Sequence, residues 1–171
     1  MRATLALPLF LAGCSCPFAG GVQHPEMAPE KGSAAAPAAA LGAVPTHTWS
    51  DTTVEAAVKN KDGVQEPREG EIRTLTGEVI DVSCYVQLGK HGAKHKDCGQ
   101  KCARSGQPVG LLTDDGAVWL LIAEEHHPRR DGKTDSLRDA LIEQMASVVK
   151  VTGTATCLHG TKVLYVSGFA K

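Results

Sequence analysis

The chain has 171 residues, 22% of them charged, with a formal net charge of −1, which leaves room for one domain of ordinary size plus extensions. So even a balance gives no global electrostatic basis for a nucleic-acid partner. Aromatic residues make up only 4%, while there are 18 glycines and 9 prolines, so the first third has to be read apart from the rest.

Arg2 precedes an apolar run over residues 3–11, the length of a signal-peptide core and too short to span a membrane. The next residues, Leu11-Ala12-Gly13-Cys14, resemble the lipobox of bacterial lipoproteins. That resemblance implies a signal peptide over 1–13, cleavage before Cys14 and lipidation of Cys14. Several acyl chains on one residue anchor stably where a single chain binds only marginally. The expected location is the cell envelope, held to a membrane by the lipid. Ser15 supplies no inner-membrane retention cue, so in a Gram-negative cell this is the outer membrane, facing the periplasm. Exported cysteines tend to oxidise unless a metal or a reductant protects them. Of the 6 cysteines, Cys14 takes the lipid and Cys16 lies beside it. Cys84, Cys98, Cys102 and Cys157 remain, and their pairing is not deducible from sequence.

Residues 14–70 read as a lipidated flexible tether. The run GSAAAPAAALGAVP buries too little surface to offset its ordering entropy. His24 and His47 read as solvated linker residues. Within this stretch Ser50 and Asp51 can begin a short helix through Thr53, Val54, Ala57 and Val58, and Trp49 can dock it. As a random coil the tether would place a domain on the order of 40 Å from the membrane.

From residue 71 to 171 the pattern is that of a folded domain. Residues 71–82 read as a first strand, bent at Gly77. After the cysteine-rich stretch come residues 109–112, a turn at Asp114-Asp115-Gly116, and 117–123, a strong hairpin signal. A polar loop containing His126 and His127 leads to an amphipathic helix, capped by Asp135 or Ser136, with Leu137, Ala140, Leu141, Gln144 and Met145 on one face. Residues 148–157 and 162–167 close the chain as a second hairpin around His159-Gly160. The predicted fold is mainly β: a five-stranded OB-like Greek-key barrel, with one helix between strands 3 and 4 and an inserted Cys/His helix between strands 1 and 2.

The inserted stretch, CYVQLGKHGAKHKDCGQKC over 84–102, carries the chemistry. If it is helical from Gly89 on, His91, His95, Cys98 and Cys102 share one stripe. A rise of 1.5 Å per residue separates His91 from Cys102 by about 16 Å, too far for a single ion. Cys98 and Cys102 have a spacing used in structural zinc sites. Adding His95 and Cys84, expected at the end of the first strand, gives a Cys3His set suited to zinc or copper. His91 and His127 are left as candidates to support the ligands from behind rather than to touch the ion. Two alternatives stay open: a disulfide from Cys84 to Cys98 or Cys102, worth roughly 2–4 kcal/mol in a small exported domain, or a redox-active thiol pair activated by Lys90, Lys94, Lys96, Lys101 and Arg104.

TGEVIDVSCY, the series Gly89, Gly92, His95, Cys98, Cys102, and GQPVGLL together resemble a group of uncharacterised exported bacterial domains of OB-like type. The resemblance favours Cys84, His95, Cys98 and Cys102 as the ligand group and leaves Cys157 and His91 outside it. No nucleophile and base arrangement or phosphate loop is present, so the expected function is non-enzymatic. It is binding of zinc or copper, structural or metal-handling, by an anchored envelope lipoprotein. The alternative is a disulfide-stapled module that recognises a peptide, glycan or partner protein, with no nucleic-acid partner in either case.

Overall fold

A computed structural model describes residues 36–58, 67–124 and 136–168. The signal and lipidation residues, including Cys14, and the histidine loop with His126 and His127 lie outside them. Six strands and four α-helices are present among the described residues. The strands are β1 (Ala40–Leu41), β2 (Glu71–Asp81), β3 (Val109–Thr113), β4 (Val118–Ala123), β5 (Val148–Leu158) and β6 (Thr161–Val166). The helices are α1 (Asp51–Val58), α2 (Val82–Leu88), α3 (Lys96–Arg104) and α4 (Ser136–Glu143), with a 3-10 turn at Ala93–His95 before α3.

Strands β2 to β6 form a closed mixed barrel with helices between strands. The hydrogen-bonded order is β5-β2-β3-β4-β6, and β5 pairs again with β6 to complete the circle. All these pairings are antiparallel except β4 with β6, which is parallel. The long β2 serves two neighbours. It pairs with β5 from Glu71 to Glu78 and with β3 from Gly77 to Asp81, so the handover falls at Gly77 and Glu78. A side chain at Gly77 would run into the Leu112 carbonyl, which explains the glycine where two ladders meet.

Alternation along each strand sends one set of side chains inward. Val79, Leu111, Leu121, Ala123, Val149, Val151, Ala155, Leu164 and Val166 make the strand part of one core cluster. Ala103 of α3 and Leu137, Leu141 and Ile142 of α4, with Met145 just after it, supply the helical part. The amphipathic face read from Leu137, Leu141 and Met145 is therefore the buried one. Both turns fall where expected: Thr113 and Ala117 bracket the first, and His159 and Gly160 make the second with positive φ angles of 49° and 84°.

The described part of the stretch assigned to the tether carries structure of its own. Strand β1 pairs in parallel with β5, Ala40 opposite Lys150 and Leu41 opposite Val151. Helix α1 is held by Glu124, whose Oε1 accepts from the Ser50 amide at 2.6 Å and from Thr53 Oγ1 at 3.2 Å. The other oxygen, Oε2, accepts from Ser167 Oγ at 2.7 Å. Trp49 docks as well: its ring meets Tyr165 edge-on at 5.3 Å, and its Nε1 donates to the Arg68 carbonyl at 2.9 Å.

Candidate metal centre

The residues between β2 and β3 do not form one helix from Gly89 onward. Helix α2 starts directly after β2 and ends at Gly89, whose φ of 66° places it in the left-handed region; its amide bonds back to Tyr85. Gly89 is thus a helix stop, as glycine commonly is at this position. After the break the chain turns at Gly92 and tightens into the 3-10 turn that leads into α3. The single stripe of four residues is therefore divided. Cys84 sits in the first turn of α2 rather than at the end of the strand, and His95 ends the 3-10 turn, one turn of chain before Cys98.

This break brings the cluster together. Ligand atoms of Cys84, His95 and Cys98 lie within 4.8 Å of one another, and so do those of Asp81, Cys84 and Cys102. All four cysteine and histidine ligands expected from sequence thus meet around one shared sulfur, that of Cys84. In a tetrahedral site the ligand atoms would be roughly 3.5–4 Å apart, so each group has to close by at most about 1.3 Å to hold an ion.

The neighbouring elements fix these side chains. Gly99 lies against Met145, where an added Cβ would come within 2.9 Å of the sulfur and within 3.6 Å of His95 Cδ2. Glycine lets α3 approach the Met145 side chain this closely, and an added side chain would have to displace the end of that thioether. Gln100 Nε2 donates to the Ile142 carbonyl at 2.9 Å, and Arg138 Nη1 donates to the Ala103 carbonyl at 2.9 Å. Helix α3, which carries Cys98 and Cys102, is therefore clamped to the core.

The chemistry of the donors fits a thiophilic cation. His95 is only 8% exposed and its Nε2 has no hydrogen-bond partner. Buried polar atoms are rarely left so, and an imidazole nitrogen without a partner is free to ligate. Asp81 is fully buried; its Oδ1 caps α2 by accepting from the amides of Ser83 and Cys84 at 2.9 and 3.3 Å. Its Oδ2 makes no hydrogen bond of ordinary geometry. The Asp81 carboxylate favours the thiol forms of its neighbours, first as a hydrogen-bond acceptor and then, after desolvation, by charge repulsion. The Cys84 pKa is raised, and that of Cys102 is pushed up to about 12. The same carboxylate would favour a cation able to displace the thiol protons.

Cys84, Cys98 and Cys102 are free thiols. A staple from Cys84 to either of the other two is not formed, and the cluster remains a set of three available sulfurs. Cys157 takes no part: it lies on β5 opposite Lys162 and is engaged elsewhere. His91 belongs to neither group. Its Nδ1 lies 3.1 Å from Glu78 Oε2, the same carboxylate accepts from the Gly92 amide at 2.5 Å, and its ring meets Tyr85 edge-on. His91 and Glu78 thus secure the turn between α2 and the 3-10 segment. His127 lies outside the described residues.

Asp81 is the residue that sequence reading misses. Its signal is present in VIDVSC: an acidic residue among apolar ones, at cap spacing from the amide of Cys84. Taken together, the chain is a small mixed β-barrel with a Cys/His cluster that could hold a metal ion. No protein-family model, curated protein or solved structure matches it, so the resemblance to exported OB-like domains rests on the residues quoted for it alone.

Proposed function

We propose that this protein is a membrane-anchored envelope lipoprotein whose barrel domain binds a thiophilic metal ion, zinc or copper, through Cys84, His95 and Cys98, with Cys102 in the same cluster. The observation that carries this reading is the buried, unpartnered Nε2 of His95 in a group with two free sulfurs. Buried polar atoms are seldom left without a partner, and this imidazole has thiol sulfurs beside it instead.

The ion would stabilise the domain by tying α2 to α3, two short helices separated by a glycine break. The protein acts by binding rather than by catalysis, either using the ion structurally or carrying it. An OB-like assignment is supported by the circular order β5-β2-β3-β4-β6 and by the helix between β4 and β5, which is the order expected of such barrels. Anchoring through Cys14 and the envelope location are supported by the lipobox-like residues.

The test is the metal content of protein taken directly from cells under reducing conditions without chelator. The wild type is expected to carry zinc or copper, and Cys84→Ser and His95→Ala to lose it. Equal metal content in all three proteins would reject the proposal.

A further inference from the structure

The sulfur of Cys84 belongs to two groups, one with His95 and Cys98 and the other with Asp81 and Cys102. Each group contains one buried polar atom without a hydrogen bond of ordinary geometry, His95 Nε2 in the first and, in the second, Asp81 Oδ2, whose carboxylate neighbours the Cys84 and Cys102 thiols. The second is the more demanding. Asp81 is 0% exposed, and a carboxylate oxygen removed from water with only weak thiol donors beside it is costly unless a cation or a proton meets it. Oxygen and sulfur ligands together suit a divalent zinc-like ion.

Geometry separates one ion from two. Only the Cys84 sulfur is common to the two groups, and among the described residues no single group within 4.8 Å joins His95 and Cys98 to Asp81 and Cys102. We propose that Asp81, Cys84 and Cys102 hold a second thiophilic divalent cation, with the Cys84 sulfur bridging it to the first. This rests on the metal-binding reading above. Each coordinating thiol releases its proton to solvent, and no electrons are exchanged. Asp81 then has two tasks, one on each oxygen: Oδ1 caps α2 and Oδ2 ligates the ion.

Native mass spectrometry of the reduced full chain loaded with Zn(II) alone tests the pair of positions, through differences between variants. Asp81→Asn keeps the capping oxygen and removes the ligating one. It is expected to carry one zinc fewer than the wild type, with metal-free helix content unchanged by circular dichroism. Cys102→Ser, which leaves the cap untouched, is expected to lose the same one zinc. Cys98→Ser should also lose one, and Cys84→Ser should lose two. If Asp81→Asn and Cys102→Ser carry as many ions as the wild type while Cys84→Ser loses one, the second position is overturned and the first stands. If Cys84→Ser also carries as many as the wild type, the metal-binding reading falls with it.

Discussion

Asp81 Oδ1 accepts a hydrogen bond from the amide of Cys84 at 3.3 Å, so the same residue that faces the cluster also starts the helix that delivers the cluster's central sulfur. Removing the side chain leaves the Ser83 and Cys84 amides without their cap. Asp81→Ala is expected to cost about 1 kcal/mol, in the range for lost helix caps. Asp81→Asn, which retains an oxygen for the cap, should lose less than half as much. Denaturant unfolding of reduced, chelated protein measures both.

The raised thiol pKa values give the metal-free protein a defined response to alkali. Cys84 and Cys102 are shifted above the ordinary thiol value of 9.0, Cys102 to about 12, chiefly through the Asp81 carboxylate. A group whose folded pKa is raised contributes stability that is fully present below its unfolded pKa and is lost as pH rises through the folded value. The midpoint of unfolding of the reduced, chelated protein should therefore fall as pH is taken from 9 toward 12. Cys102→Ser should flatten that fall. A midpoint constant across this interval would contradict the assignment.

Glu124 provides a second, independent test at acid pH. Burial alone would raise its pKa, but the hydrogen bonds from Ser50, Ser167 and Thr53 prevail and lower it. Its contribution is present above the unfolded carboxylate value of 4.5 and is lost as pH falls through the depressed one. Glu124→Gln replaces a charged acceptor at the junction of α1 with the C-terminal segment. It should cost about 1–3 kcal/mol, as expected for hydrogen bonds to a charged group. Faster amide exchange in α1, with exchange in β2 and β5 unchanged, would locate the effect.

Gly99 tests how closely α3 must approach the core. An added side chain meets Met145 at 2.9 Å, and overpacking of this kind costs about 1–3 kcal/mol. Alanine recovers about 1 kcal/mol of that through better helix propensity; valine recovers less and adds bulk. Gly99→Val is therefore expected to lower stability by about 2 kcal/mol and to weaken metal binding, since it pushes on His95. Gly99→Ala, which the flexible Met145 side chain can accommodate at the low end of that range, should be close to neutral. Thermal unfolding with and without zinc reads both effects.

The strand order was legible because each strand carries its own local signal. Trp119, Leu121 and Ala123 alternate, Asp114-Asp115-Gly116 and His159-Gly160 mark the turns, and Leu137, Leu141 and Met145 recur at helical spacing. The membership of the cysteine cluster was legible for a similar reason, since its four expected ligands lie within one stretch of chain. Its internal shape was not. Helical periodicity continues through Gly89 and Gly92 on paper, and it takes the left-handed turns at these two glycines to fold α2 back beside α3. Glu124 was beyond reach for a different reason: its partners Ser50 and Ser167 lie 74 and 43 residues away, and no local pattern encodes such a contact.

The Cys84, His95 and Cys98 group is expected to coordinate a metal ion. Cobalt(II) reports this directly, because thiolate ligation in a tetrahedral site produces an intense sulfur-to-metal charge-transfer band and strong visible absorption. Adding Co(II) to the reduced full chain should generate these bands. They should weaken in Cys98→Ser, shift in His95→Ala, disappear in Cys84→Ser and be displaced by zinc. A spectrum that stays that of the hydrated ion, or one unchanged by Cys84→Ser, would contradict it.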